Sequence, residues 1–125
     1  MNIVDTLGWI EYFFDGPNAS YFSVPIEDTA NLVVPVICLY EVFKKVILAA
    51  DQSKALQAVA QMKQGRVIKL DEEIALNAAL VSLQNRLPMA DSIIYATGML
   101  EKAIIWTQDI DFNGLPGVNY KEACK

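Results

Sequence analysis

The constraint that most limits the fold of this chain is the recurrence of short apolar segments, each followed by residues at helical spacing. Residues 2–5 read as a first strand, and Thr6 is placed to cap a helix over 6–14 that Gly16, Pro17 and Asn18 stop. A second helix is expected over 19–26, weakened at its end by Pro25. Leu32, Val33 and Val34 form a buried strand closed by Pro35, and Leu39, Val42, Phe43, Val46 and Ile47 then follow helical spacing over 37–50. Asp51 or Ser53 caps the next helix, which runs to Gly65. A third strand over 66–70 leads into a helix capped by Asp71, with Glu72 and Glu73 in its first turn where the helix dipole favours them. Leu87 and Pro88 break the chain before a helix over 90–102, a fourth strand over 103–107, a polar loop, and a short last strand over 117–120. Strands alternating with helices imply an α/β fold: a parallel sheet with helices on both faces. In such sheets ligands bind beyond the carboxyl ends of the strands, where the strand order reverses.

The 125 residues match one ordinary domain, spanning 1–125, and with 54% hydrophobic residues they suffice for a core. No apolar run approaches the roughly 18 residues of a membrane span, and Asp5 and Glu11 lie where a signal peptide would be apolar. A soluble cytoplasmic protein with no membrane association is therefore expected. Cys38 sits in an apolar run as a small buried hydrophobe, and Cys124 is expected at the surface. The chain has no histidine. That excludes Ser-His-Asp and Cys-His nucleophilic chemistry, histidine-based cleavage of RNA and nearly every zinc site. Hydrolysis by this chain must use carboxylates and an oxygen-preferring cation. The net charge of −5 argues mildly against nucleic-acid binding, but a divalent ion held by clustered acids inverts the local field.

The residues just after each strand supply such a cluster. Asp5 ends the first strand, Glu41 lies beyond the second, Asp91 opens the helix after Pro88, and Asp109 and Asp111 follow the fourth. Converging carboxylates repel one another unless a cation neutralises them, and Mg²⁺ or Mn²⁺ with oxygen ligands fits that need. Ions held this way support in-line displacement at a phosphodiester. Each acid also has a plain structural reading: Asp5 as a helix cap, Glu41 paired with Lys44 or Lys45, Asp91 as a first-turn acid, Asp109 and Asp111 as turn residues. Their joint placement on one sheet edge favours the site. Thr6 and Thr107 are placed to bond the carboxylates or a metal-bound water, or else to serve as cap and strand residue. Lys44 and Lys45 could contact a phosphate but read more simply as an exposed helix face, and Trp9, Tyr12 and Phe13 read as core or dimer interface. Glu11, Asp15, Glu27, Asp28, Glu101 and Glu122 read as solvated surface.

Four pieces in order carry a resemblance: Ile3-Val4-Asp5-Thr6 with Gly8 to Phe13; Tyr40-Glu41-Val42; Leu87 to Ile94; and Trp106 to Phe112 followed by Leu115 to Val118. Together they resemble the PIN-domain ribonucleases, specifically the VapC-type toxins of toxin–antitoxin pairs, over essentially the whole chain. The resemblance implies a three-layer α/β/α sandwich around a parallel sheet of four to five strands. It implies a Mg²⁺- or Mn²⁺-dependent endoribonuclease in which Asp5, Glu41, Asp91 and Asp109 form the acidic quartet, with Asp111 an alternative fourth ligand. It further implies an RNA substrate, a homodimer and an antitoxin partner that blocks the site. A non-catalytic RNA- or protein-binding module on a nuclease fold is the main alternative. A receiver domain would need a second acid after the first strand and a lysine after the last core strand, and a DNA-cutting relative would usually be longer.

Overall fold

The computed structural model describes residues 1–124. Asn2–Val4 form β1, whose Ile3 and Val4 are fully buried, and the chain turns directly into α1 (Thr6–Phe13). Then come α2 (Ala19–Glu27), a 3₁₀ turn, β2 (Val33–Pro35), α3 (Val36–Ala49), α4 (Gln52–Met62) and β3 (Arg66–Ile68). The chain continues through α5 (Glu72–Asn85), α6 (Met89–Glu101), β4 (Ile104–Thr107), a second 3₁₀ turn (Ile110–Phe112) and β5 (Val118–Tyr120).

All strand pairs are parallel, as alternating strands and helices require. The ladder is divided. One sheet runs β1-β4-β5, the other β2-β3, and a single bridge, Asn2 to Leu32, joins them. Read across that bridge, the order is β3-β2-β1-β4-β5, but the expected single sheet of four to five strands is instead a three-stranded sheet beside a two-stranded one. The order reverses between β1 and β4, which makes their carboxyl ends the switch point of the sheet. Gly8 of α1 lies against Val4 and against Phe22 of α2, whereas Gly98 of α6 lies against Ile3 and Ile105, so helices cover both faces and give the α/β sandwich. Strand residues Ile3, Val4, Val33, Val34 and Ile105 meet Trp9, Phe22, Cys38, Met62 and Phe112 in the main core. Ile74, Ala78, Ile93 and Ala96 form a smaller cluster where α5 and α6 pack together. Among the described residues, no helix is long and apolar enough to cross a membrane.

Local caps correct the expected boundaries. Asp5, not Thr6, caps α1: its Oδ1 accepts the Gly8 N–H at 2.8 Å, and Thr6 is the first helical residue. Asp51 caps α4 through the Lys54 N–H, which leaves Ser53 inside the helix. Asp71 caps α5 as expected. Glu11 is not solvated surface. Its Oε2 accepts the Asn18 N–H at 2.8 Å and closes the turn between α1 and α2. Glu101 is not free either, since it pairs with Arg66 at 2.5 Å.

Gly8 is where β1 and two helices approach most closely. A Cβ there would lie 2.6 Å from Val4 Cγ1 and 2.7 Å from Phe22 Cε1. Gly8→Ala is therefore expected to lower stability by about 1–3 kcal/mol through overpacking, against the roughly 1 kcal/mol that alanine normally gains over glycine within a helix. Chemical denaturation checks this, and a more stable variant would contradict the packing.

Candidate functional site

Two strand ends at the switch point set the site. The chain leaves β1 at Asp5, whose side chain is only 1% exposed. One carboxylate oxygen serves the α1 cap, and the other accepts the Thr107 hydroxyl at 2.5 Å. Thr107 ends β4 and is fully buried. Its Oγ1 also accepts the Asp109 N–H at 2.9 Å, so one hydroxyl joins the two acids that follow β1 and β4. Asp109 then caps the 3₁₀ turn by accepting the Asp111 N–H at 2.9 Å.

The helices bring the remaining acids. Glu41, on α3, accepts the Thr6 hydroxyl at 2.5 Å. The pairing of Glu41 with Lys44 or Lys45 does not form: the single ion pair among the described residues is Arg66–Glu101. Pro88 breaks the chain before α6, and Asp91 falls in its first turn. Asp5, Thr6, Glu41, Asp91 and Asp109, with Leu7 and Lys45, line one cavity of about 170 Å³. Asp111 is exposed at its margin. Carboxylate oxygens of Asp91, Asp109 and Asp111 lie within 4.8 Å of one another. Both expected threonines therefore bond carboxylates, and all five expected acids gather at this edge.

The electrostatics follow from burial and crowding. Burial, joined by the charges of Asp109 and Glu41, pushes the Asp5 carboxyl up to about 7 against the lowering effect of the Thr107 and Gly8 hydrogen bonds. Asp91 is likewise pushed up to about 7, first by burial, then by the neighbouring charges of Asp109, Asp5 and Glu41. A donor set made only of carboxylate oxygens, partly buried and crowded by one another's charge, fits a hard divalent ion. Cys38, packed beneath, is held well above the usual thiol range by burial and then by the same acids, so it stays a neutral core residue.

Lys45 is exposed, as a plain helix face predicts, and it also borders the acidic cavity. One residue escaped the sequence reading. Asn18 is buried and ties the loop after β4 to the start of α2, donating to Gln108 Oε1 at 2.9 Å and to the Glu122 carbonyl at 3.1 Å. The i,i+4 spacing of Glu41 and Lys45 was the only available signal for the lysine; nothing in the sequence marks Asn18.

The model of the PIN domain family matches residues 3–118. The chain belongs to the PIN domain family. Among solved structures, this PIN domain is similar to a chain of a toxin–antitoxin complex from Klebsiella pneumoniae, with a TM-score of 0.77, 22% identity, and coverage of 95% of this chain and 96% of that one. It is also similar to a chain of VapBC2 from Rickettsia felis bound to a DNA fragment from its promoter (TM-score 0.74, 12% identity, 97% of each chain). A chain of DNA-bound VapBC from Salmonella typhimurium gives a TM-score of 0.73 at 14% identity, over 99% of this chain and 100% of that one. At these identities the likeness establishes the fold. No curated protein sequence matched this PIN domain.

The Thr107 hydroxyl holds the two strand ends of the PIN domain together, which makes it testable. Thr107→Val leaves an Asp5 oxygen and the Asp109 N–H without their partner. It is expected to cost about 1–3 kcal/mol in chemical denaturation. Thr107→Ser should restore most of that loss, and an unchanged Val variant would contradict the bridging role.

Proposed function

We propose that this PIN domain is a Mg²⁺- or Mn²⁺-dependent endoribonuclease, the toxin of a toxin–antitoxin pair, acting in the cytoplasm. The observation that carries this reading is the convergence of Asp5, Glu41, Asp91 and Asp109 on one cavity at the sheet's switch point, in a chain without histidine. These four acids would hold the cation, with Asp111 available at the margin beside Asp91 and Asp109. Bound there, a divalent ion supplies Lewis-acid activation of water and stabilises the leaving oxygen of an in-line displacement. The chain's own residues do the rest. Thr107 orients Asp5 and, through its contact with the Asp109 N–H, the loop after β4. Thr6 orients Glu41 from the first turn of α1. Their hydrogen bonds fix the carboxylates before a ligand arrives, so little reorganisation is needed.

An antitoxin partner is supported by the fold's likeness to chains of VapBC complexes. A homodimer is supported by Leu76, Leu80 and Leu83 of α5 with Met99 and Leu100 of α6, all of them exposed. Such neighbouring apolar side chains on a surface suit burial against a partner. The test is cleavage of cellular RNA by the purified protein with and without Mn²⁺ or Mg²⁺, alongside calorimetric titration of the metal. Cleavage that requires metal is the expected result. No cleavage and no metal binding would sink the catalytic reading and leave a binding module on this fold.

A further inference from the structure

One face of α3 continues outward from the acidic cavity. Glu41 and Lys45 line that cavity and also an adjoining one of about 250 Å³, whose other walls are Tyr40, Lys44 and Leu48. Positions 40, 44 and 48 are one helical turn apart, as are 41 and 45, so these side chains form a stripe along the helix. Tyr40 is 60% exposed and Leu48 79% exposed. The Lys44 ammonium lies 5.8 Å from the centre of the Tyr40 ring. Neither lysine is in an ion pair, since Arg66–Glu101 is the single one among the described residues. An exposed aromatic ring and two ammonium groups outside any ion pair thus stand beside the carboxylates, on a chain whose net charge is −5.

That combination suits a single nucleic-acid strand. Bases stack on exposed aromatic rings whatever their identity, and adjacent cations track the phosphates. The acidic cavity repels a polyanion everywhere except at its metal, so the strand flanking the cut must be held from outside the cavity. We propose that this stripe of α3 is the track for the substrate: Lys45 and Lys44 hold phosphates next to the cleaved bond, and an unpaired base stacks on Tyr40 against Leu48. The inference rests on the ribonuclease reading and narrows it to RNA that is unpaired at the cut. In an A-form duplex the bases are stacked inside, and Tyr40 would meet only backbone.

The test separates binding from cleavage. Fluorescence anisotropy is measured with a labelled single-stranded RNA 12-mer and with the same strand annealed to its complement, in Mg²⁺, on an Asp91→Asn background to suppress turnover. In that background Tyr40→Ala is expected to weaken single-strand binding about tenfold, with Tyr40→Phe close to the parent. Lys44→Ala and Lys45→Ala are each expected to lower the slope of log affinity against log salt by about 0.7. The duplex should bind more weakly than the strand. All three side chains are exposed, so the variants should fold, and circular dichroism checks that they do. Equal affinity of the Tyr40→Ala protein, equal binding of duplex and strand, or no RNA binding by the parent overturns the inference, and the first of these leaves the face for a protein partner. If Tyr40 governs strand binding but the unmutated protein never cleaves RNA, the track stands and the nuclease reading falls. If cleavage is robust and indifferent to Tyr40, the reverse holds.

Discussion

Asp91→Asn is expected to reduce metal-dependent RNA cleavage by at least about a thousandfold while leaving the fold intact. Asparagine keeps the size and a carbonyl oxygen but loses the charge that attracts a cation. Loss of several kcal/mol of electrostatic stabilisation corresponds to that factor. Stability should move the other way. The first-turn position favours an acid by about 0.3–1 kcal/mol, but burial and the charges of Asp109, Asp5 and Glu41 all oppose ionisation of Asp91. In the presence of a chelator the variant should therefore melt no lower than the wild type at pH 8. Divalent metal should then raise the wild-type melting temperature more than that of the variant. Retained cleavage would remove Asp91 from the machinery, and a collapsed melting temperature would make it a structural residue.

The second large effect is in pH. The Asp5 carboxyl titrates at about 7 in the folded protein, against 3.8 for a free side chain. Between those values the folded chain holds a proton that the unfolded chain has released. Raising the pH through that interval therefore favours unfolding: the contribution is fully present below about 4 and is lost as pH passes 7. Asp5 alone is expected to cost the metal-free protein about 3 kcal/mol between pH 5 and pH 8, on the order of 10 °C in melting temperature. Asp91 shifts in the same direction and adds to the slope. Millimolar Mn²⁺ at pH 8 should recover much of the loss, because the ion binds the folded carboxylates. Asp5→Asn should flatten the profile, since its Oδ1 can still accept the Gly8 N–H that caps α1. A melting temperature independent of pH from 5 to 8 in chelator would show that the acids are not crowded as described.

The alternation of strands and helices was legible because apolar period and breakers are local properties. So were Asp5 and Asp109, because side chains that follow β1 and β4 closely must emerge at the carboxyl ends of those strands. The division of the sheet was not legible. Whether Leu32 pairs beyond a single bridge with Asn2 depends on partners distant in sequence. Threonine and aspartate are both good caps, so Thr6 and Asp5 are both candidates for α1, and Asp5 makes the bond. Sequence spacing alone left both readings open. Helices α5 and α6 end at Arg86 and Lys102, which take left-handed φ values of 56° and 52° without a glycine to announce them. That the exposed Lys45 also borders the acidic cavity is not legible, because one turn of helix cannot say where a cavity opens. The Arg66–Glu101 pair spans 35 positions and carries no local signature.

The pairing of β1 with β4 also has a consequence in time. Asp5 leaves the ribosome 102 positions ahead of its Thr107 partner, and Asp109 follows just after that. At roughly 5–20 residues per second, a nascent chain spends on the order of 5–20 s with a first acid and no second strand to set it against. The acids of the switch point therefore come together only when nearly the whole domain has emerged.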